Sequence, residues 1–277
     1  MLFRRESPRP KSAAELEKMR AAGRIVAGVL KHCADLVAPG VTTGDLNEAA
    51  YTKGKELGAE DFSFLDYHGF PGVICSSVDE VVVHGIPGRC DYRGGKVADR
   101  TLQEGSLVSV DFGAISQGFH GDSAVTVPVG EVSPELKELL RVGREALWAG
   151  IRQVKPGCRL SDIARAIERS IRERPHRYGV VTNYVGHGIG RRLHEPPNVP
   201  NVLTKDLLRN DLVLEAGVTI AIEPMVCLGT AKTKTLSDGW TVVTRDGRPA
   251  VHFEHSLAVT EEGFEILTSR EDGGTTH

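Results

Sequence analysis

The stretch Ser106-Leu107-Val108-Ser109-Val110-Asp111-Phe112-Gly113-Ala114-Ile115-Ser116-Gln117-Gly118-Phe119-His120-Gly121-Asp122-Ser123-Ala124-Val125-Thr126-Val127 decides how the rest of the chain is read. Val108, Val110 and Phe112 alternate with Ser109 and Asp111; after a break over 116–118, Ser123, Val125 and Val127 alternate with Asp122, Ala124 and Thr126. Two alternating runs around a short polar break predict a β-hairpin. A turn centred on Ser116-Gln117 makes Asp111 and Asp122 direct cross-strand partners, with Cβ atoms about 5 Å apart. At an effective dielectric of about 20 such a pair repels by roughly 3 kcal/mol. No Lys or Arg lies between Arg100 and Lys137 to offset the repulsion, so a metal cation is the favoured compensation.

Working outward, the 277 residues are 40% hydrophobic and 26% charged, enough to bury one large core or two fused halves. The net charge of -3 gives no overall field toward nucleic acid, and no nucleic-acid motif is present. Cys33, Cys75, Cys90, Cys158 and Cys227 are odd in number, scattered and free of any C-x-x-C pair. That excludes a disulfide framework or zinc ribbon and points to a reducing compartment. The polar start, Met1 to Lys18, has no apolar signal core, and no run approaches the roughly 20 apolar residues of a membrane span. The expectation is a cytoplasmic protein with no membrane partner.

Residues 1–11 read as disordered. Ser12 and Glu15 have capping-box spacing, and the apolar recurrence from Leu16 to Leu30 predicts a helix over 13–37, ended by Pro39-Gly40. A second helix follows from Thr43-Asp45 to Gly58, then short strands over 62–87, a loop over 88–96, the hairpin, and helices over 134–153 and 161–173. Residues 183–195 form a glycine-broken segment leading to a Pro/Asn-rich loop to about 201; strands follow, and the tail from Ser269 is frayed. The order repeats itself. Val37-Ala38-Pro39-Gly40 with Asp45 resembles Val154-Lys155-Pro156-Gly157 with Asp162, and Leu102-Gln103-Glu104-Gly105 before Asp111 resembles Leu214-Glu215-Ala216-Gly217 before Glu223. Asp122 to Val127 likewise matches Glu254 to Val259. A single domain over 12–268, built of related α+β halves over about 12–130 and 131–268, would gather four carboxylates.

Four oxygen ligands with an imidazole suit a pair of first-row divalent ions, a recognised hydrolytic device. His187, between Gly186 and Gly188, is the best nitrogen donor. Other catalytic signatures fail: His194-Glu195 runs into Pro196-Pro197 and makes no H-E-x-x-H, there is no G-x-S-x-G, and Gly94-Gly95-Lys96 lacks the rest of a P-loop.

Asp111 and Asp122, the Gly-rich segment around His187 followed by His194-Glu195 and a proline, Glu223-Pro224-Met225, and Glu254 together resemble the pita-bread metallopeptidases, in particular the type I methionine aminopeptidases. Tyr67-His68-Gly69-Phe70-Pro71 and Val83-His84-Gly85-Ile86-Pro87 narrow the likeness to that subgroup, which covers about 12–268. The resemblance implies an α+β pita-bread fold whose antiparallel sheet is covered by helices. It implies two divalent ions (Mn, Fe, Co or Zn) on Asp111, Asp122, His187, Glu223 and Glu254, with Asp122 and Glu254 bridging and Glu223 also accepting a proton. His194 is similar to the family histidine that steadies the scissile carbonyl, and His84 to the one that reaches the scissile nitrogen or the next residue's backbone. Tyr67, His68, Phe70, Cys75, Leu193 and Trp240 would bind substrate around an apolar pocket of thioether size. Phe70 and Leu193 depart from the Tyr and Phe common there, which alters pocket shape rather than polarity. The implied activity is removal of initiator methionine from nascent polypeptide N-termini with a small second residue, by a monomer, with the ribosome a candidate partner. Proline-specific peptidases of the same fold, and a non-catalytic binding protein on it, are the rival readings.

Overall fold

Helix α1 (Ala13–Leu36) starts where a reciprocal pair of bonds satisfies two orphan amides: Ser12 Oγ accepts the Glu15 N–H, and the Glu15 carboxylate accepts the Ser12 N–H. The computed structural model describes residues 7–270, so the disorder and fraying expected at 1–6 and 271–277 lie outside the described residues. Within them the start is partly anchored, since Lys11 is buried. α1 buries Met19, Ile25, Val26, Val29, Leu30 and Cys33 and lies across both strands of the hairpin. Helix α2 (Thr43–Glu56) has the same box between Thr42 and Asp45; α3 (Pro134–Ile151) opens on Ser133 with proline in its first turn; in α4 (Leu160–Arg172) the Asp162 carboxylate accepts the Arg159 N–H.

The hairpin forms, but not in the expected register. Strand Leu107–Ser116 pairs antiparallel with Phe119–Pro128, closed by Ser116 opposite Phe119. The turn is Gln117-Gly118, with φ of 50° and 72°. Two left-handed residues match the right-handed twist of the strands, so the glycine at the second position selects this turn over one centred a residue earlier. Asp111 consequently faces Ala124, and Asp122 faces Gly113. The two aspartates share a face as diagonal neighbours rather than direct partners, which lengthens their separation.

The 107–116 strand also pairs with Ile74–Val78, which sets Cys75 opposite Asp111. The second half contributes a sheet ordered Glu195–Val199, Gly186–Gly188, Thr219–Ile222, His255–Val259, Phe264–Ile266. The repeat is visible in matched bonds. Gly40 N–H donates to Leu102 O as Gly157 N–H does to Leu214 O, and Gly105 N–H to Val129 O as Gly217 N–H does to Val259 O. Between the halves, Ser256 Oγ donates to Asp122 O and accepts the Asp122 N–H, while Thr126 Oγ1 donates to His252 O and accepts the His252 N–H. This local two-fold equates Asp122 with His252 and Ala124 with Glu254. The sequence pairing of Asp122 with Glu254 is therefore two residues out, although Asp111 and Glu223 do correspond.

Two expected loops contain strands. Asp91–Tyr92 pairs with Gly95–Lys96 inside 88–96, and Glu195–Val199 is an edge strand despite Pro196-Pro197, because an edge leaves one row of amides unneeded. Strands Met225–Cys227, Thr233–Thr235, Val242–Thr244 and Ala250–His252 and the short helix Lys205–Arg209 complete the α+β fold.

Gln117 is a side chain in a conformation that suits glycine. Gln117→Gly should stabilise the protein by about 0.5–1 kcal/mol in urea unfolding; a loss of stability would contradict the left-handed turn.

Candidate metal centre

Strand geometry delivers the donors one by one. Asp111 and Asp122 come from the hairpin, Glu223 directly follows strand Thr219–Ile222, and Glu254 directly precedes His255–Val259. His187 sits in the middle of Gly186–Gly188, where the glycines let neighbours close in. A Cβ on Gly186 would stand 2.3 Å from Ala221 O, and one on Gly188 2.1 Å from Pro196 O. His187 Nδ1 bonds Gly188 O at 2.9 Å, which puts the ring proton there and leaves Nε2 as the lone-pair donor, 3.8 Å from Asp122 Oδ2 and 3.6 Å from Glu223 Oε1. One ligand atom each of Asp122, His187 and Glu254 lies within 4.8 Å of the others.

Electrostatically the cluster is unfinished. Burial, joined by the Glu223 charge against His252's opposing pull, raises the Asp111 carboxyl to about 7, and burial raises Glu223 to about 8. Burial and then mutual repulsion hold Asp122 and Glu254 well above the usual carboxylate range. Burial also lowers His187 to about 3, so its imidazole is neutral. Asp111 Oδ1, Asp122 Oδ1 and Glu254 Oε1 are buried without a hydrogen-bond partner. Each such atom costs about 1–3 kcal/mol unless something ligates it. Hard oxygens and a neutral imidazole fit a divalent cation, whose binding must displace protons from these carboxyls.

Against the cluster lies a cavity of about 120 Å³ lined by Phe64, Tyr67, Phe70, Cys75, Leu193 and Trp240, with His84 and His194 at its polar side. Phe70 meets Trp240 edge-on at 5.2 Å. Of the residues expected here, His68 is not brought in. At φ 50° within the turn Tyr67–Gly69 it is exposed, with its ring edge-on to Tyr67 outside the lining. Phe64 is an additional wall. His194 Nδ1 is 2.7 Å from Tyr67 Oη, and burial with the nearby His68 lowers its pKa, so the ring is neutral near pH 7; when the phenol donates, the proton is on Nε2. His84, held at φ 59° and lowered to about 4 by burial and then by His252 and His194, packs beside Tyr184 and Trp240. A strained backbone of this kind persists where surrounding structure over-determines it.

His252 is the residue that the sequence reading missed. It is buried, its Nε2 lies 3.5 Å from Glu223 Oε2, and it stands two residues before Glu254, in step with the sequence alternation of Glu254, Ser256 and Ala258. That alternation was the available signal. A larger groove of about 870 Å³, also lined by His187 and His194, runs past Asn183, Asn198 and Asn210.

Residues 17–261 match metallopeptidase family M24. Methionine aminopeptidase 1 of Bacillus subtilis (strain 168) is 45% identical over 258 residues, spanning 93% of this chain and 98% of that protein. Methionine aminopeptidase 1 of Mycobacterium tuberculosis (strain CDC 1551 / Oshkosh) is 44% identical over 262 residues, spanning 93% and 94%. The crystal structure of methionine aminopeptidase from Thermotoga maritima is similar with a TM-score of 0.86 at 41% identity, covering 95% of this chain and all of that one, 100%. The pita-bread fold follows from these likenesses.

Asp122→Asn removes one buried ionisable group while nearly preserving shape. In chelator the variant should unfold no earlier than wild type, with a gain of up to about 3 kcal/mol. Mn should stabilise wild type alone, by about 2.7 kcal/mol at a hundredfold and about 4.1 kcal/mol at a thousandfold excess over Kd, so at the higher excess the order should reverse. Thermal unfolding of both proteins in both conditions checks this; a variant clearly weaker in chelator would assign Asp122 to the fold instead of the metal.

Proposed function

Because the chain belongs to metallopeptidase family M24 and matches methionine aminopeptidases almost end to end, we infer that it is a methionine aminopeptidase, a hydrolase that removes the initiator methionine from nascent polypeptide N-termini. The observation that carries the reading is the sharing of one cavity by Tyr67, Phe70, Cys75, Leu193 and Trp240 with Asp111, Asp122, His187, Glu223 and Glu254. An unbranched thioether fits such a soft, aromatic wall. Membership of the family brings divalent metal use; we propose that these five donors hold two ions, drawn from Mn, Fe, Co and Zn. When bound, the metal supplies Lewis acidity and a water acidified toward neutral pH.

The chain's own residues do the rest. The aromatic walls exclude water and hold the methionine side chain, so the first peptide bond lies over the carboxylates. Glu223, a carboxylate once a cation has displaced its proton, is suited to take and return a proton beside the scissile bond. His194, neutral and bonded through Nδ1 to Tyr67, presents Nε2–H to the scissile carbonyl oxygen as negative charge develops there. His84 faces the scissile nitrogen and, packed between Tyr184 and Trp240, leaves space for only a small second side chain. Later residues of the substrate leave along the groove beyond His194. Among the described residues no helix is long and apolar enough to cross a membrane. The proline-specific reading is disfavoured by the names of relatives at 44% and 45% identity, and the non-catalytic one by the unsatisfied donor atoms of the cluster.

Met-Ala-Ser should be cleaved, cleavage should stop with chelator and return with Mn, and a Met-Trp peptide should be cut poorly; equal rates for the two peptides would sink the assignment of His84. His194→Ala should lower kcat about 10²–10³-fold with a small change in KM, measured by steady-state kinetics. A raised KM at unchanged kcat would make His194 a binding group only.

A further inference from the structure

Lys11, two residues before α1, is a buried cation far from the carboxylate cluster in sequence and role. Its Nζ lies 2.7 Å from Glu195 Oε2, its side chain is 3% exposed and that of Glu195 15%. Its own N–H donates to Gly217 O at 2.7 Å, so the backbone at this point is pinned to the second half. Glu195 immediately follows His194. Its second oxygen, Oε1, accepts the N–H groups of Arg191 at 2.8 Å and Arg192 at 3.2 Å. Gly190 N–H bonds Arg192 O, and Gly190 O accepts the His120 N–H. The connection between strands Gly186–Gly188 and Glu195–Val199 is thus folded around one carboxylate, and that carboxylate is tied to the body of the protein by one lysine. Gly190 leaves no slack, since a Cβ there would stand 2.5 Å from Lys11 Cε and 2.6 Å from Glu195 Oε1.

We propose that the Lys11–Glu195 ion pair is a positioning device for the loop carrying Leu193 and His194, and that it sets the aim of the His194 ring. A buried ion pair is a weak source of stability compared with an apolar substitute, but its directional bonds fix one geometry. Here it fixes the residue adjacent to a pocket wall and to a donor that must meet a reacting oxygen. Displacement of such a group by about 1 Å can cost on the order of 10²-fold in rate. Tyr67 holds the ring itself through Nδ1; Lys11 and Glu195 hold the backbone from which the ring springs. The inference rests on the reading of His194 as the donor to the scissile carbonyl.

The test is a double-mutant cycle in the Mn-loaded full-length protein, with Met-Ala-Ser as substrate. Lys11→Met should lower kcat by about 10-fold or more while KM moves less than about threefold, and calorimetric Mn binding should stay at the wild-type level. In the His194→Ala background the same substitution should change kcat by less than about twofold, because the group it aims is gone. Hydrogen exchange should quicken by about 10-fold in residues 190–195 and stay unchanged in α1. Glu195→Gln keeps an acceptor for the two loop amides while removing the charge pair, and it stands in, with the same expectations, should Lys11→Met fail to fold. An unchanged kcat in the single variant, or an equal loss in both backgrounds, overturns the inference. His194→Ala with wild-type kcat overturns instead the functional reading beneath it.

Discussion

Burial of like charges is the constraint on which the rest of the molecule depends. Asp111, Asp122, Glu223 and Glu254 converge where water is scarce, and their carboxyls respond by moving far up from their ordinary values. A protein that needed only stability would put apolar side chains there. Retaining four acids means that the surrounding sheets must hold them against repulsion, and the glycines at 113, 186 and 188 record how tightly the neighbours are drawn in. On the proposed reading, a bound cation would turn that tension into ligation, and the burial that penalises the free carboxylates would make them strong donors.

The pseudo-two-fold explains how one chain assembles such a site and why the site is not symmetric. Strand Phe119–Pro128 lies against residues 252–256, exchanging bonds through Ser123, Thr126 and Ser256. Their axis relates Asp111 to Glu223 but sets His252 in the place of Asp122. Each half therefore supplies a different chemistry at the same address. The pocket is likewise one-sided: its walls at 64–75 belong to the first half, while Leu193, His194 and Trp240 close it from the second.

Much of this was legible in the sequence because alternation and capping are local. Ser12 with Glu15 marks a helix start to the residue, and the start read at Thr43 to Asp45 falls one residue past the observed cap, Thr42. The alternation around Asp111 and Asp122 marks two strands, and the Pro-Gly and Leu-x-x-Gly echoes mark the duplication. What failed was whatever depends on non-local choice. The register turned on which two of Ser116, Gln117 and Gly118 form the turn, a matter of twist that hydrophobic pattern does not encode. Pro196-Pro197 reads as loop until an edge position is known. His68 sits inside a motif that resembles a binding stretch, yet in its left-handed turn it is exposed and beside Tyr67 rather than in the cavity lining. His252 was hidden for the opposite reason: its role appears only when Glu223, distant in the chain, is packed against it.

The division of donors between halves also fixes when the centre can exist during synthesis. Asp111 and Asp122 emerge before Glu223 and Glu254, and residues 252–256, which bond the free edge of the hairpin, come later than both aspartates. Until then the first half presents an open strand edge and two unligated acids, a species that is both exposed to mispairing and unable to hold its metal. Lys11, made 184 residues before Glu195, waits for it in the same way. An enzyme that trims the starts of new chains thus cannot assemble its own centre until both of its halves have been made.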